Sequence, residues 1–127
     1  MSDFILVDTS VWIKHLNESD EKLIQLLEQG LVACHPFVIG ELACGGIKNR
    51  HEIITLLNDL PSTAILDHDE IMEFIEYRKI MNKGIGYVDA HLLGSALASE
   101  TPLWTFDKAL RKITHQLSIE YDITFKG

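Results

Sequence analysis

The sequence has few cysteines and no long apolar run. Its two cysteines, Cys34 and Cys44, are too few for a disulfide framework or a thiolate metal site, so we expect both to be reduced core residues. No stretch approaches the ~20 apolar residues that a membrane-spanning helix needs. The N-terminus also lacks the basic start and cleavage site of a secretory signal. We therefore expect a cytoplasmic protein with no membrane partner.

Positive charge is also scarce. Lys and Arg total 11 against 19 Asp and Glu, for a net charge of −8. This balance argues against a broad surface that binds a phosphate backbone. The objection weakens if some of the acids line a metal site, because bound divalent cations reverse the sign of charge that the site presents to a phosphate.

The chain shows no internal repeat, linker or low-complexity tract, so the sequence predicts a single domain over residues 1–127. Short apolar runs predict buried strands, and apolar residues at helical spacing follow nearly every one of them. The predicted strands are 4–8, 31–34, 63–66, 103–106 and 121–125. The predicted helices are 9–16, 20–29, 37–46, 50–59, 67–81, 87–99 and 107–114. This alternation predicts an α/β fold with three layers, α/β/α, around a mainly parallel sheet of about five strands.

Two acidic residues follow predicted strands directly. Asp8 ends the run FILVD, and Asp107 follows LWTF; a helical segment comes after each. Functional groups of parallel α/β sheets collect at the carboxyl ends of strands, which favours a site at these positions. The alternative is that each side chain only caps the following helix.

Two further acids lie in apolar helical segments. Glu41 lies within FVIGELACGG, where a buried carboxylate would carry a large desolvation penalty unless it met a cation. A solvent-facing position on the helix is the alternative for Glu41. Asp89 falls in the first turn of the helix in GYVDAHLLGSAL, where the helix dipole already favours a negative charge. Its apolar neighbours Val88 and Leu92 nevertheless indicate a largely buried helix. We therefore expect the Asp89 carboxylate to face a shared polar pocket and not bulk water.

Carboxylates that converge raise one another's pKa unless a cation lies among them. Oxygen ligands of this kind suit Mg²⁺ or Mn²⁺, which take carboxylates together with waters. Such a site activates water and stabilises the charge that develops on a phosphoryl group. The four acids, Asp8, Glu41, Asp89 and Asp107, are therefore the candidate metal ligands and catalytic residues.

The segments that carry these acids resemble one known family along the whole chain. VDTSVWI, IGELACG, GYVDAHLLGSAL and WTFDKAL resemble, in this order, the motifs of PIN domains, and in particular the VapC toxins of VapBC toxin–antitoxin pairs. The resemblance implies that the acidic quartet binds Mg²⁺ or Mn²⁺ for endoribonuclease activity. Ser10 and Thr105 match the small hydroxyl positions beside the first and last acids, where they would orient carboxylates or hold metal-bound water. It further implies a homodimer and a VapB-like antitoxin as partner.

Other residues have weaker assignments. Lys14, Lys108, Arg111 and Lys112 follow the two strand-end acids, so they are candidates for RNA phosphate contacts, with a solvated helix face as the alternative. The histidines show no ligand spacing such as HExxH, so a zinc site is not expected, and His91 is expected to be structural. Trp12 and Trp104 are expected to pack in the core.

The sequence leaves three functions to compare. The leading hypothesis is a metal-dependent ribonuclease, a toxin that hydrolyses RNA through metal-activated water. An aspartyl phosphotransferase or phosphatase also begins with a strand-end Asp, but it normally has a second Asp where this chain has Ser10. The third hypothesis is an adaptor that binds RNA or acts within a repressor complex without cleaving.

Overall fold

A parallel sheet forms the centre of the computed structural model, which describes residues 3–121. The strands are β1 (Ile5–Val7), β2 (Val32–Ala33) and β3 (Leu103–Trp104), in the order β2-β1-β3. Both neighbours pair parallel to β1, with Ile5 opposite Val32 and Leu6 opposite Leu103. All residues of β1 are buried, which explains why this central strand has an uninterrupted apolar sequence.

Helices follow or connect these strands, as the sequence predicts. They are α1 (Thr9–Glu18), α2 (Glu21–Glu28), α3 (Pro36–Cys44), α4 (Arg50–Asn58), α5 (His68–Arg78), α6 (Tyr87–Ala98) and α7 (Lys108–Gln116). Local chemistry sets several ends. The Asp67 side chain accepts a hydrogen bond from the backbone N–H of Glu70 at 2.8 Å, in a capping box that begins α5. The same helix ends earlier than predicted, because Lys79 adopts a left-handed φ of 53°.

The described sheet has three strands, not the five that the sequence predicts. Segment 63–66 forms no strand; the chain makes only an isolated bridge between Ser62 and Cys34. Ile65 is 60% exposed, so this apolar segment is not buried as a central strand would be. The predicted strand 121–125 lies outside the described residues except for Tyr121, and a bridge joins Glu120 to Leu103 just before it.

The core surrounds β1 and the strongly buried helix α6. At Gly94 of α6, an added Cβ would lie 2.9 Å from side-chain carbons of both Ile71 and Leu66, so glycine permits this close packing. Trp12 and Trp104 are buried as expected. Cys34 is buried but Cys44, the last residue of α3, is exposed, so the expectation of a core position was wrong for Cys44. No helix within residues 3–121 is long and apolar enough to cross a membrane.

Candidate active site

Asp8 lies at the carboxyl end of the central strand and is the N-cap of α1. Its backbone N–H donates to the carbonyl of Trp104 at 2.9 Å, which ties this strand end to β3. The residue is only 5% exposed. The hydroxyls of Ser10 and Thr105 each donate to Asp8 Oδ2 at 2.7 Å. These bonds offset the cost of burying the carboxylate and fix its orientation.

The two hydroxyls also receive bonds from the chain beyond β3. The backbone N–H of Phe106 donates to Ser10 Oγ at 3.0 Å, and that of Asp107 donates to Thr105 Oγ1 at 3.0 Å. The hydroxyl oxygens themselves lie 3.3 Å apart. Asp8 Oδ1 accepts no hydrogen bond from the described part of the chain. The network thus holds one oxygen of Asp8 and leaves the other available to a ligand.

Asp107 is the N-cap of α7, and its Oδ2 accepts a hydrogen bond from the backbone N–H of Leu110 at 2.8 Å. Its side chain is more exposed than that of Asp8. Both strand-end acids therefore cap helices, which is the structural role that the sequence offers for each. Capping engages only part of each carboxylate, so it does not exclude a second role at the shared sheet edge.

Glu41 is exposed on α3, so the solvent-facing position is correct of the two that the sequence leaves open. Val38 and Leu42 provide the buried positions of this helix instead. The Glu41 side chain is nevertheless directed to the start of α1, where the Thr9 hydroxyl donates to its Oε1 at 2.7 Å. Since Thr9 is adjacent to Asp8, this bond brings Glu41 to the same edge of the sheet.

Asp89 connects the acids electrostatically. It lies half-buried in the first turn of α6 and accepts a hydrogen bond from the backbone N–H of Gly86 at 3.3 Å. Burial raises the pKa of Asp89, the Gly86 bond opposes this, and the carboxylates of Asp8, Asp107 and Glu41 raise it further. The fold therefore gathers all the acids that the sequence singles out into one region of repelling negative charge.

The donor chemistry of this region suits Mg²⁺ or Mn²⁺. Within residues 3–121, no three His, Cys, Asp or Glu side chains lie close enough together to hold an ion as they stand. Mg²⁺ usually keeps several waters and binds proteins through one or two carboxylates, so it does not need a complete protein shell. The unengaged Oδ1 of Asp8 and the mutual repulsion at Asp89 both fit such a cation.

A cationic surface begins directly after Asp107. Lys108, Arg111, Lys112 and His115 lie on one face of α7 and line an open cavity of about 720 Å³. Arg111 Nε and His115 Nδ1 each lie 3.0 Å from a Glu120 carboxylate oxygen, and the Arg111 bond is the main cause that lowers the Glu120 pKa. Lys108 and Lys112 form no ion pair with any described residue.

Lys14 differs from the lysines of α7. Its Nζ lies 3.4 Å from Asp20 Oδ2 and 3.8 Å from Glu18 Oε1. Two acidic neighbours already offset this charge, so Lys14 is the weakest of the candidates for contact with RNA phosphates.

Sequence reasoning missed Thr9, which holds Glu41. Its only signal is its position directly after a strand-end acid, where a hydroxyl faces the same edge of the sheet. His91 was expected to be structural, and it is buried with its ring 4.6 Å from those of Phe37 and Tyr87, measured between centroids.

Comparisons with known proteins identify the family of the chain. Residues 5–116 match the PIN domain family. Ribonuclease VapC32 of Mycobacterium tuberculosis, found in two strains, is 47% identical over 108 residues, which cover 84% of this chain and 87% of the relative. The parallel sheet with helices described above is the α/β fold expected of that family. The chain therefore belongs to the PIN domain family, as a VapC-type member.

Proposed function

We propose that this protein is a Mg²⁺- or Mn²⁺-dependent endoribonuclease, the toxin component of a type II toxin–antitoxin pair. The observation that carries the proposal is the hydrogen-bond network that holds Asp8 Oδ2 through Ser10 and Thr105, ties Asp107 to Thr105, and brings Glu41 beside Asp8 through Thr9. Four carboxylates from separate segments converge without a basic partner among them, which favours a divalent cation as their ligand. The likeness to a relative named as a ribonuclease supports RNA as the substrate.

Each acid has a distinct part in this proposal. Asp8, Asp89 and Asp107 would hold the metal, and Glu41 would help to position it. A divalent cation supplies activation of water and neutralisation of charge on the phosphoryl group. Ser10 and Thr105 orient the carboxylate of Asp8 through its Oδ2. Hydrolysis of this kind leaves a 5′-phosphate and does not use the 2′-OH as nucleophile.

The face of α7 is the proposed contact for the RNA backbone. Lys108 and Lys112 have no acidic partner among the described residues, and Arg111 shares Glu120 with His115. These cations begin beside Asp107, so a strand bound at the acids would pass over them. This local concentration of positive charge meets the objection that the net charge of −8 raises.

The biological setting follows from the VapC-type assignment. We propose a VapB-like antitoxin as inhibitory partner, a homodimer as the assembly, and the cytoplasm as the place where RNA is cut. We also propose the three-layer PIN-like arrangement of helices around the sheet. The identity to VapC32 over most of both chains supports these assignments.

The test is cleavage of RNA by purified protein with Mg²⁺, with Mn²⁺, and with EDTA. Cleavage in either metal, none in EDTA, and products with 5′-phosphate ends are expected. Asp8→Asn and Asp89→Asn proteins should be inactive, whereas Asp67→Asn, which changes the helix cap of α5 and none of the four acids, should cut like the parent.

Two results would contradict the proposal. One is the absence of cleavage by folded parent protein in both metals. The other is cleavage by Asp8→Asn and Asp89→Asn proteins at the parent rate. Metal-dependent binding of RNA without turnover would favour the adaptor function instead.

A further inference from the structure

A groove of about 490 Å³ lies between α1 and the α3–α4 loop and adjoins the acids at Glu41. The function proposed above does not use it. We call it the Glu41 groove. Its lining includes Ile13, Leu16, Asn17, Glu41, Lys48 and Asn49. Its volume lies within the range of about 300–1,000 Å³ that is typical of small-ligand pockets.

The groove is continuous with the candidate active site. Glu41 belongs to both, and Thr9 fixes its carboxylate at the first residue of α1. Ile13, Leu16 and Asn17 follow Thr9 by four, seven and eight residues, which places them along one face of α1. At about 1.5 Å per residue, the groove extends roughly 12 Å from the acids. A nucleotide next to a phosphate bound at the acids would reach into it.

The walls of the groove suit a flat aromatic ligand with polar edges. Ile13, which is 48% exposed, and Leu16 present apolar surface, and Leu42 is buried beneath them. The side-chain amides of Asn17 and Asn49 form no hydrogen bond with any described residue. A nucleobase combines an apolar face with donors and acceptors along its edges, and amide side chains can pair with those edges.

The conformation and charge of the loop add to this picture. Asn49 has a left-handed φ of 53°, which asparagine tolerates better than most residues. Lys48 forms no ion pair in residues 3–121, so its ammonium group is available to a phosphate.

We propose that the Glu41 groove binds the base of a nucleotide adjacent to the scissile phosphate, with Asn17 and Asn49 reading its edge. This inference rests on the proposed ribonuclease function and extends it from the reaction to the choice of sequence. The residues that select the base are thereby separate from the acids that carry out the chemistry.

The test compares kcat/KM for a set of short RNAs that differ only at the nucleotides on each side of one cleaved bond. The parent should prefer certain bases at one of these positions. Asn17→Ala and Asn49→Gly should each reduce that preference about tenfold, as expected for one hydrogen bond. Glycine accepts the left-handed conformation at position 49, so the variant should keep its fold.

Asn82→Gly is the matched control, because Asn82 is also exposed and left-handed, with a φ of 58°, but does not line the groove. It should keep the base preference of the parent. Unchanged preference in both groove variants would overturn the proposal. Weaker binding of a protein inhibitor with unchanged base preference would also overturn it and would assign the groove to a protein partner.

Failure of the ribonuclease proposal gives a different result. If folded parent protein cuts no RNA, the groove is tested by NMR titration with the four nucleoside 5′-monophosphates. Base-dependent shifts of the Asn17 and Asn49 side-chain amide signals, with the Asn82 signal constant, would support a nucleotide site. Absence of such shifts would refute it.

Discussion

The acids at the strand ends and the acids on the helices occupy the same site in different ways. Asp8 is buried, and the hydroxyls of Ser10 and Thr105 hold one of its oxygens. Glu41 is exposed and held by the single hydroxyl of Thr9. Asp89 is half-buried and, within residues 3–121, accepts one long backbone hydrogen bond. The site therefore has a rigid side at the sheet and a more adjustable side on the helices.

This difference has a physical cause. The ends of parallel strands are fixed by their backbone ladder, so hydroxyls there can be directed with precision onto a carboxylate. A long Glu side chain on an exposed helix surface keeps more rotamer freedom. A rigid ligand orients a metal before substrate arrives, whereas a mobile one can follow changes in coordination during the reaction. Variants on the two sides should consequently differ in size and in kind of effect.

Asp8→Asn should give the largest loss of activity. Asn caps a helix about as well as Asp, so α1 should form, but the neutral amide cannot replace a charged metal ligand. We expect the rate of RNA cleavage to fall at least about 100-fold, beyond the effect typical of residues that only support a ligand. Initial rates in Mg²⁺ measure this, and circular dichroism checks the fold. If the Asp8→Asn protein cut RNA at a rate within about threefold of the parent rate, Asp8 would not be the rigid ligand that this comparison assumes.

Ser10→Ala and Thr105→Val should each reduce activity or metal affinity by about 10- to 100-fold, because they release the carboxylate that they orient. Both hydroxyls donate to the same oxygen, so the double variant should lose less than the product of the single effects. Activity as a function of Mg²⁺ concentration measures the change. Thr55→Val is the control, since the Thr55 hydroxyl donates to the backbone carbonyl of His51 in its own helix. Fully multiplicative losses would show that the hydroxyls act independently.

Glu41→Gln should have a smaller effect, about tenfold, because in the proposed function this side chain only helps to position the metal, and it does so from an exposed location. Higher Mg²⁺ should restore most of the lost rate, which it should not do for Asp8→Asn. Thr9→Val should resemble Glu41→Gln, since it removes the bond that holds the carboxylate. Glu52→Gln, an exposed glutamate on α4, serves as the control. If Glu41→Gln lost as much activity as Asp8→Asn and added Mg²⁺ did not restore it, the sheet side and the helix side of the site would be equivalent.

Asp89→Asn should abolish RNA cleavage, and it should also produce the smallest of the effects compared here, a change in stability that is separate from that loss of activity. The folded protein raises the pKa of Asp89 above its ordinary value of 3.8, so between those two values the folded state binds more protons than the unfolded state. Stability of the parent therefore falls as pH rises through that window. The Asp89→Asn variant does not lose stability in this way, so it should melt a few degrees higher than the parent at pH 7 in EDTA.

The difference in melting temperature between Asp89→Asn and the parent should vanish below pH 3.8, where Asp89 is protonated in both states. Thermal melts across a pH series without divalent metal measure it. Equal melting temperatures at every pH would mean that the charge on Asp89 carries no cost in the fold.

The segments predicted most accurately were those with one clear periodicity. Helix 20–29 was found at Glu21–Glu28 and helix 50–59 at Arg50–Asn58, because caps and an apolar stripe fix such elements locally. The strand predicted at 63–66 was wrong. An apolar run there satisfied the pattern of a strand, but a strand also needs a free edge to pair with, which local sequence does not reveal.

Glu41 shows the same limit within the site. Helix α3 is apolar around most of its circumference, so periodicity did not indicate which side faces the core. The acid was correctly placed on a helix, but the sequence left open whether it faces the interior or solvent. The position of its carboxylate depends on Thr9, 32 residues earlier in the chain.

The sequence by itself determined the α/β alternation, the two strand-end acids with their helices, and the identity of the acidic residues. These features depend on local patterns of apolar residues and on capping chemistry. Tertiary structure alone decided that β1 lies between β2 and β3, so that the hydroxyls of Ser10 and Thr105 meet on one oxygen of Asp8. It also decided that Glu41 faces solvent beside Thr9. Contacts between distant segments set these features, because the packing of side chains selects among arrangements that local patterns leave equivalent.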